Sequence, residues 1–410
     1  FNVPSISFFK LRTSYGILGE ALGQGFYPGY DRIDVKNLND QVATVFISKG
    51  NADLTWEAGK QFNLGVDMES SFANATIDFY SKNRDDMFFT RNVGTSLGYR
   101  SILVNDGSLK NWGIEFTVDK DIVNTDDFNL NLRVLGSIEK NELTELPFDP
   151  AAGRRKYFES NGFYGLGKGK STYEFYMREY AGVNPDNGYA QWFRNYDDKN
   201  SNGSWDSGEE IEDLFIYTSE NPNANIQEDK VEKYVDATKR FTGKTAIPDM
   251  YGSITLSASY KAFDMRAIFS YGLGGYAYDS AYRDFMDNES AGNTQQLHTD
   301  IENRWKQAGD VTDVPILNSN LQVNQASTST RFLIEADYLN FSNIQVGYTL
   351  PDSLIQKINA SNIRIYFTGD NLMILSKRDG FNPGYSLSGN TARYTYEPMT
   401  TFTAGLTLNF

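Results

Sequence analysis

Apolar and polar residues alternate with a period of two along much of the chain. In the clearest run Phe128, Leu130, Leu132, Val134 and Ile138 share one face, and Asn129, Asn131, Arg133, Ser137 and Glu139 share the other. Such a segment is a strand that separates two different environments. The same pattern recurs in Phe62, Leu64, Val66, Met68; in Trp112, Ile114, Phe116, Val118; in Phe263, Met265, Ala267, Phe269, Tyr271; and in Ile363, Ile365, Phe367. Opposite them stand Asn63, Asp67, Glu115, Asp119, Asp264, Arg266 and Arg364. The alternation predicts ten strands, near 7–18, 54–70, 74–90, 107–122, 128–140, 248–260, 263–272, 330–349, 362–374 and 399–410.

The predicted connections alternate between short and long. Short ones fall at Ser71 to Ala73, Val123 to Asp127, Lys261 with Ala262, and Pro351 to Ser361; long ones fall near 19–53, 91–106, 141–247, 273–329 and 375–398. In an antiparallel meander this puts every long loop at one end and every tight turn at the other, the asymmetry of outer-membrane barrels. A soluble sandwich also alternates, but several of these strands exceed the 5 or 6 residues usual in globular sheets and approach the roughly 9 to 11 that cross a bilayer at a tilt. The last segment, Thr401 to Phe410, fits: Phe402, Ala404, Leu406, Leu408 and Phe410 oppose Thr401, Thr403, Gly405, Thr407 and Asn409. The expected fold is all-β, a transmembrane antiparallel β-barrel with long extracellular loops.

Composition sharpens this picture. The 410 residues hold no apolar run long enough for a membrane helix, which leaves strands as the spanning element. Aromatic residues make up 14%, with 26 Tyr and 28 Phe, and such side chains favour membrane interfaces. The absence of Cys removes disulfides, thiolate metal sites and cysteine nucleophiles. A formal net charge of -15 disfavours nucleic acid as a partner. The chain begins with Phe1 and carries no export signal, so an exported barrel is expected to have further sequence upstream.

Several motifs together resemble the carboxyl-terminal part of the SusC/RagA-type TonB-dependent transporters of the Bacteroidetes outer membrane. They include Lys10-Leu11-Arg12-Thr13-Ser14-Tyr15-Gly16, Leu54-Thr55-Trp56-Glu57, Asn111-Trp112-Gly113-Ile114-Glu115, Trp305-Lys306-Gln307-Ala308-Gly309-Asp310 and Asn343-Ile344-Gln345-Val346-Gly347-Tyr348-Thr349-Leu350-Pro351. Gly369-Asp370-Asn371-Leu372 and Gly380-Phe381-Asn382-Pro383 complete the set. The resemblance implies that residues 1–410 are one portion of a single barrel, about the last ten strands of a roughly 22-stranded one. It implies outer-membrane lipid around the wall, a SusD-like surface lipoprotein as lid, coupling to TonB through regions absent here, and import of glycan or peptide nutrients. No plug and no TonB box stand in this chain, so by itself it is not expected to transport.

One motif carries metal chemistry. Asp198-Lys199-Asn200-Ser201-Asn202-Gly203-Ser204-Trp205-Asp206-Ser207-Gly208-Glu209 fits the twelve-residue calcium loop, with Asp198, Asn200, Asn202, the Ser204 carbonyl, Asp206 and Glu209 as oxygen ligands and Gly203 at the sharp turn. A structural Ca2+ in an extracellular loop is expected, although no EF-hand helices flank it; the competing reading is a solvated acidic loop. His298, the sole histidine, falls in a short predicted helix with Leu297, Ile301 and Trp305 and has no recognisable catalytic partner. Gly162, Gly165, Gly167 and Gly169 lead to Lys170-Ser171, but Tyr164 stands where a phosphate loop needs glycine, so this stretch reads as flexible loop. Tyr173, Phe175, Tyr176, Tyr180, Tyr189, Trp192, Phe193 and Tyr196 fall in the longest loop, where they either stack on ligands or form the loop's own core. Besides import, the sequence leaves open an outer-membrane anchor or surface-assembly barrel without transport. An outer-membrane enzyme would need catalytic groups that no motif supplies.

Overall fold

The computed structural model describes residues 5–21, 27–150, 152–287, 296–317, 324–355, 360–386, 389, 391 and 398–409. Phe410 and parts of the predicted connections 19–53, 273–329, 351–361 and 375–398 lie outside the described residues. Ten strands form one antiparallel sheet in strict chain order: β1 (Ile6–Glu20), β2 (Glu57–Ser70), β3 (Asn74–Asp85), β4 (Ser108–Asn124), β5 (Phe128–Glu145), β6 (Met250–Tyr260), β7 (Phe263–Leu273), β8 (Tyr338–Thr349), β9 (Asn362–Ser376) and β10 (Thr401–Asn409). Every predicted strand is present. No helix is long and apolar enough to cross a membrane, which says nothing of strands.

The tight turns are built from local chemistry. Ser70 Oγ donates to the Ala73 carbonyl at 2.7 Å and Thr125 Oγ1 to the Phe128 carbonyl at 2.8 Å, while Lys261 takes a φ of 51° between β6 and β7. These side-chain bonds stand in for ladder bonds where the chain reverses.

Register places the two faces as the alternation demands. The rank Arg12, Gly65, Asp78, Glu115, Ser137, Tyr251 crosses β1 to β6 on the polar face. The apolar face is bare: Leu11 is 62% exposed, Phe402 62% and Leu406 58%. It is bounded near the loops by Tyr15, Phe62 and Trp112, and near the turns by Phe128, Tyr260, Phe263 and Tyr348. From Trp112 to Asn124 the strand rises about 40 Å, which at the usual tilt spans roughly 30 Å, the height of a hydrocarbon core with its interfaces. The polar face therefore lines a lumen and the apolar face meets lipid.

Two ion pairs lie flat across glycines of the lumen wall. Arg12 bonds Asp67 at 2.8 Å and Asp78 at 3.0 Å, passing over Gly65, where a Cβ would stand 2.3 Å from the Asp78 carboxylate. Arg364 bonds Asp264 at 2.5 Å across Gly347, where a Cβ would stand 2.3 Å from the guanidinium. A side chain at either glycine would force the pair to shift from this position.

Two strand boundaries differ from the sequence reading. Residues near 330–337 do not belong to β8: a 3-10 turn, Thr330–Phe332, precedes Leu333–Glu335, which pairs with Tyr276–Tyr278. Phe332 and Leu333 continue the apolar pattern because they enter the core of the loop layer. Residues 86–90 leave β3, since Asp86 turns the chain at a φ of 54° and Phe88–Asn92 forms a separate hairpin with Ser101–Asn105.

The long connections are themselves folded. The stretch 158–245 forms a four-stranded sheet (Phe158–Asn161, Tyr164–Gly167, Glu174–Arg178, Lys239–Thr245) and a three-stranded one (Tyr180–Val183, Ala190–Asp197, Ile226–Val231). Phe175, Met177, Tyr278, Met286, Phe332 and Leu333 make one core across loops distant in sequence, and Ala190, Trp192 and Ala237 make a second. The glycine-rich stretch is an ordered hairpin with Gly162 at its turn, rather than a flexible loop.

Candidate binding site under the loop layer

The loop layer roofs the lumen beside β4, β5 and β6. Beneath it lies a cavity of about 430 Å3. Its floor is Asn111, Glu139, Asn141 and Tyr251 from the strands, and its roof includes Tyr173, Pro248, Tyr276 and Pro383. Asn141 ties the two together: its Nδ2 donates to Asn111 Oδ1 at 2.6 Å, and its Oδ1 accepts from the Thr172 N–H at 2.9 Å and hydroxyl at 2.7 Å. The end of β5 also pairs with the loop, Leu143 N–H donating to the Lys170 carbonyl at 2.9 Å and Gly169 N–H to the Leu143 carbonyl at 2.8 Å. Tyr251 Oη donates to Glu139 at 3.4 Å. Aromatic faces beside amides and one carboxylate can hold a polar ligand by stacking and hydrogen bonding.

Two buried acids hold this roof. Asp106, 8% exposed, accepts from the Phe148 N–H and Arg155 at 2.6 Å each and from Arg91 at 3.0 Å. Burial works against its charge, but these donors outweigh it and hold the carboxyl below the usual carboxylate range. Asp279, 1% exposed, caps the helix Ser280–Phe285 through the Tyr282 N–H at 3.0 Å and pairs with Arg378, which joins two of the long loops. Burial pushes the phenols of Tyr278 and Tyr282 up to about 12, so both remain neutral, and Tyr282 donates to Asp300 at 2.7 Å.

The aromatic group of the longest loop divides. Phe175, Tyr176, Trp192 and Tyr196 are buried and serve the loop's own core, whereas Tyr173 lines the cavity. His298 caps the 3-10 turn Thr299–Asn303, its Nδ1 accepting from the Asp300 N–H at 3.2 Å, and its ring packs on Tyr282.

The calcium-type loop stands away from the cavity, between the strand Ala190–Asp197 and the helix Leu214–Glu220. Asp198 accepts from the Asn202 N–H at 3.0 Å and the Gly203 N–H at 2.9 Å; Glu209 accepts from the Lys199 and Asp206 N–H groups, each at 3.0 Å. Asp206 accepts from the amides of Asn200 and Asn202 at 2.8 Å each, and Gly203 takes a φ of 76°. The Asn202 side-chain oxygen accepts from the Ser204 N–H at 2.8 Å. Among the described residues, no group of three His, Cys, Asp or Glu side chains is placed to hold a metal ion, so any ion here draws on amide and carbonyl oxygens as well.

No profile of a known protein family matches the chain. Individual proteins do. A TonB-dependent receptor of Formosa agariphila, P3, is 26% identical over 432 residues, covering 99% of this chain and 40% of that protein. The TonB-dependent receptor SusC of Bacteroides thetaiotaomicron is 26% identical over 425 residues, covering 100% of this chain and 38% of SusC. The open-open state of the RagAB peptide importer superposes with a TM-score of 0.81 at 25% identity over 100% of this chain and 41% of that one. Over its whole length the chain is thus similar to one part of SusC/RagA-type TonB-dependent transporter barrels. The chain belongs to the outer membrane, and it spans about 40% of the length of the curated relatives it matches. The relatives named here are receptors and importers.

Proposed function

We propose that the protein imports glycan or peptide nutrients across the outer membrane in a TonB-dependent manner, beneath a SusD-like surface lipoprotein. The observation that carries this reading is the likeness to the RagAB importer across all ten wall strands and the loop layer together. A bare anchor would need neither a polar wall nor a roofed cavity that meets it. The test is purification of the tagged full-length protein from its native outer membrane, with uptake measured with and without TonB. A co-purifying lipoprotein and TonB-dependent uptake are expected. A barrel purified alone, whose loss leaves uptake unchanged, would sink the reading.

We also propose that residues 198–209 bind a structural Ca2+, held by Asp198, Asn200, Asn202, the Ser204 carbonyl, Asp206 and Glu209. The ion would fix the loop, and the donor set is one suited to a hard cation. Chelation should speed proteolysis at Lys199 in the full-length protein, and Glu209→Gln should do so without a chelator. Equal protection with and without calcium would overturn the site.

A further inference from the structure

We infer that the lumen wall directly below the roofed cavity is a subsite for a cationic group, a protonated amine or guanidinium, on the transported molecule. This rests on the import reading and names one chemical requirement of its substrate.

The wall there breaks a rule of sheet design. Asp78 of β3 and Glu115 of β4 face each other directly in register, and like charges so placed destabilise a sheet. Arg12 bonds Asp78 but is also shared with Asp67, and the carboxylate of Glu115 has no hydrogen-bond or ion-pair partner among the described residues. Glu139 adds a further carboxylate one rank nearer the loops, where the Tyr80 and Tyr251 hydroxyls face it. Lys10 stands opposite Asp67, so Arg12 is the cation that reaches Asp78, and no cation bonds Glu115 or Glu139 among the described residues.

An independent feature points to a ligand. A cavity of about 330 Å3 is lined by Thr76, Asp78, Glu115, Ser137, Tyr251 and Ser253. Ser137 is 9% exposed, and its hydroxyl has no hydrogen-bond partner among the described residues. A buried polar atom left so costs free energy unless something supplies the missing bond. An N–H donor seated against Glu115 would supply it, with the Ser137 lone pair and the carboxylate as acceptors. Metal is the weaker occupant, because no three acidic side chains converge among the described residues. Tyr251 borders both this cavity and the roofed one, so a ligand bound under the roof meets the acidic patch on its way down the wall.

The test uses the full-length transporter in lipid nanodiscs, titrated at low salt with tri-lysine and with the same peptide acetylated at each Nε. Tri-lysine should bind about tenfold tighter than the acetylated peptide, a difference that shrinks as salt screens the charges. Glu115→Gln should reduce the ratio to near one while the barrel keeps its heat resistance, and Ser137→Ala should reduce it in part. Equal binding of the two peptides, binding of neither, or a ratio unchanged in Glu115→Gln would each overturn the subsite. So would a Glu115→Gln protein that keeps the ratio but loses heat resistance, since the carboxylate would then serve the protein's own packing. A transporter that keeps the selectivity yet imports nothing would sink the import reading and leave the subsite standing.

Discussion

Ile254→Arg should prevent the barrel from assembling, whereas Ser253→Arg, one residue away on β6, should leave it intact. Ile254 stands on the lipid face between Val134 and Phe269, near mid-height of the wall. Arginine there costs about 2–4 kcal/mol at the bilayer midplane, on top of lost packing. Ser253 lies opposite Leu135 on the lumen face and borders the acidic patch, where a guanidinium finds water and carboxylates. Heat-resistant migration of the outer-membrane protein on unboiled gels reads the difference. The reverse outcome would mean that the faces are assigned the wrong way round, and equal behaviour that neither meets lipid.

Phe332→Ala should loosen the loop layer without unfolding the wall. Phe332 is fully buried in the larger loop core and meets Tyr278 and Tyr282 edge-on, at 6.4 and 6.3 Å between ring centroids. Truncating a buried phenylalanine costs about 3–5 kcal/mol, part of it from the cavity left behind. Because this core joins residues of loops far apart in sequence, the loss is felt across the roof. Trypsin added to intact cells should cut the variant at Arg178 and Arg331 and spare the parent, while both keep heat-resistant barrels. Phe332→Leu, which keeps most of the volume, should restore protection; cleavage identical in parent and alanine variant would remove Phe332 from the roof's support.

The wall was legible in the sequence because its signal is local. Alternation fixes which side chains share a face, and turn residues such as Ser70 and Thr125 mark where strands reverse. Both strand errors came where that signal continues past the sheet. Phe332 and Leu333 alternate like wall residues but belong to the loop core, and Asp86 breaks β3 through a left-handed backbone that composition does not announce. The roofed cavity was not legible at all. It joins Thr172 and Tyr173 to Asn141, and Tyr276 and Pro383 to Tyr251, across separations that no periodicity encodes. The acidic patch lay halfway between: Glu115 was already on the polar face, but its opposition to Asp78 needs the register of β3 against β4. In the aromatic group, spacing could not tell Tyr173, which lines the cavity, from Phe175, which fills the core.

Under the proposed import function, the ion pairs laid across Gly65 and Gly347 bear on how fast a solute leaves. A guanidinium lying along the wall, already matched to its carboxylates, presents a passing molecule with a dipole rather than a free charge, and the missing side chains widen the bore where it lies. Conduction requires binding strong enough to admit a solute and weak enough to release it. Paired stretches of this kind make a slippery surface, so residence time would concentrate at the few places where charge is left unmatched, and the dwell at those places, rather than the length of the wall, would set the turnover.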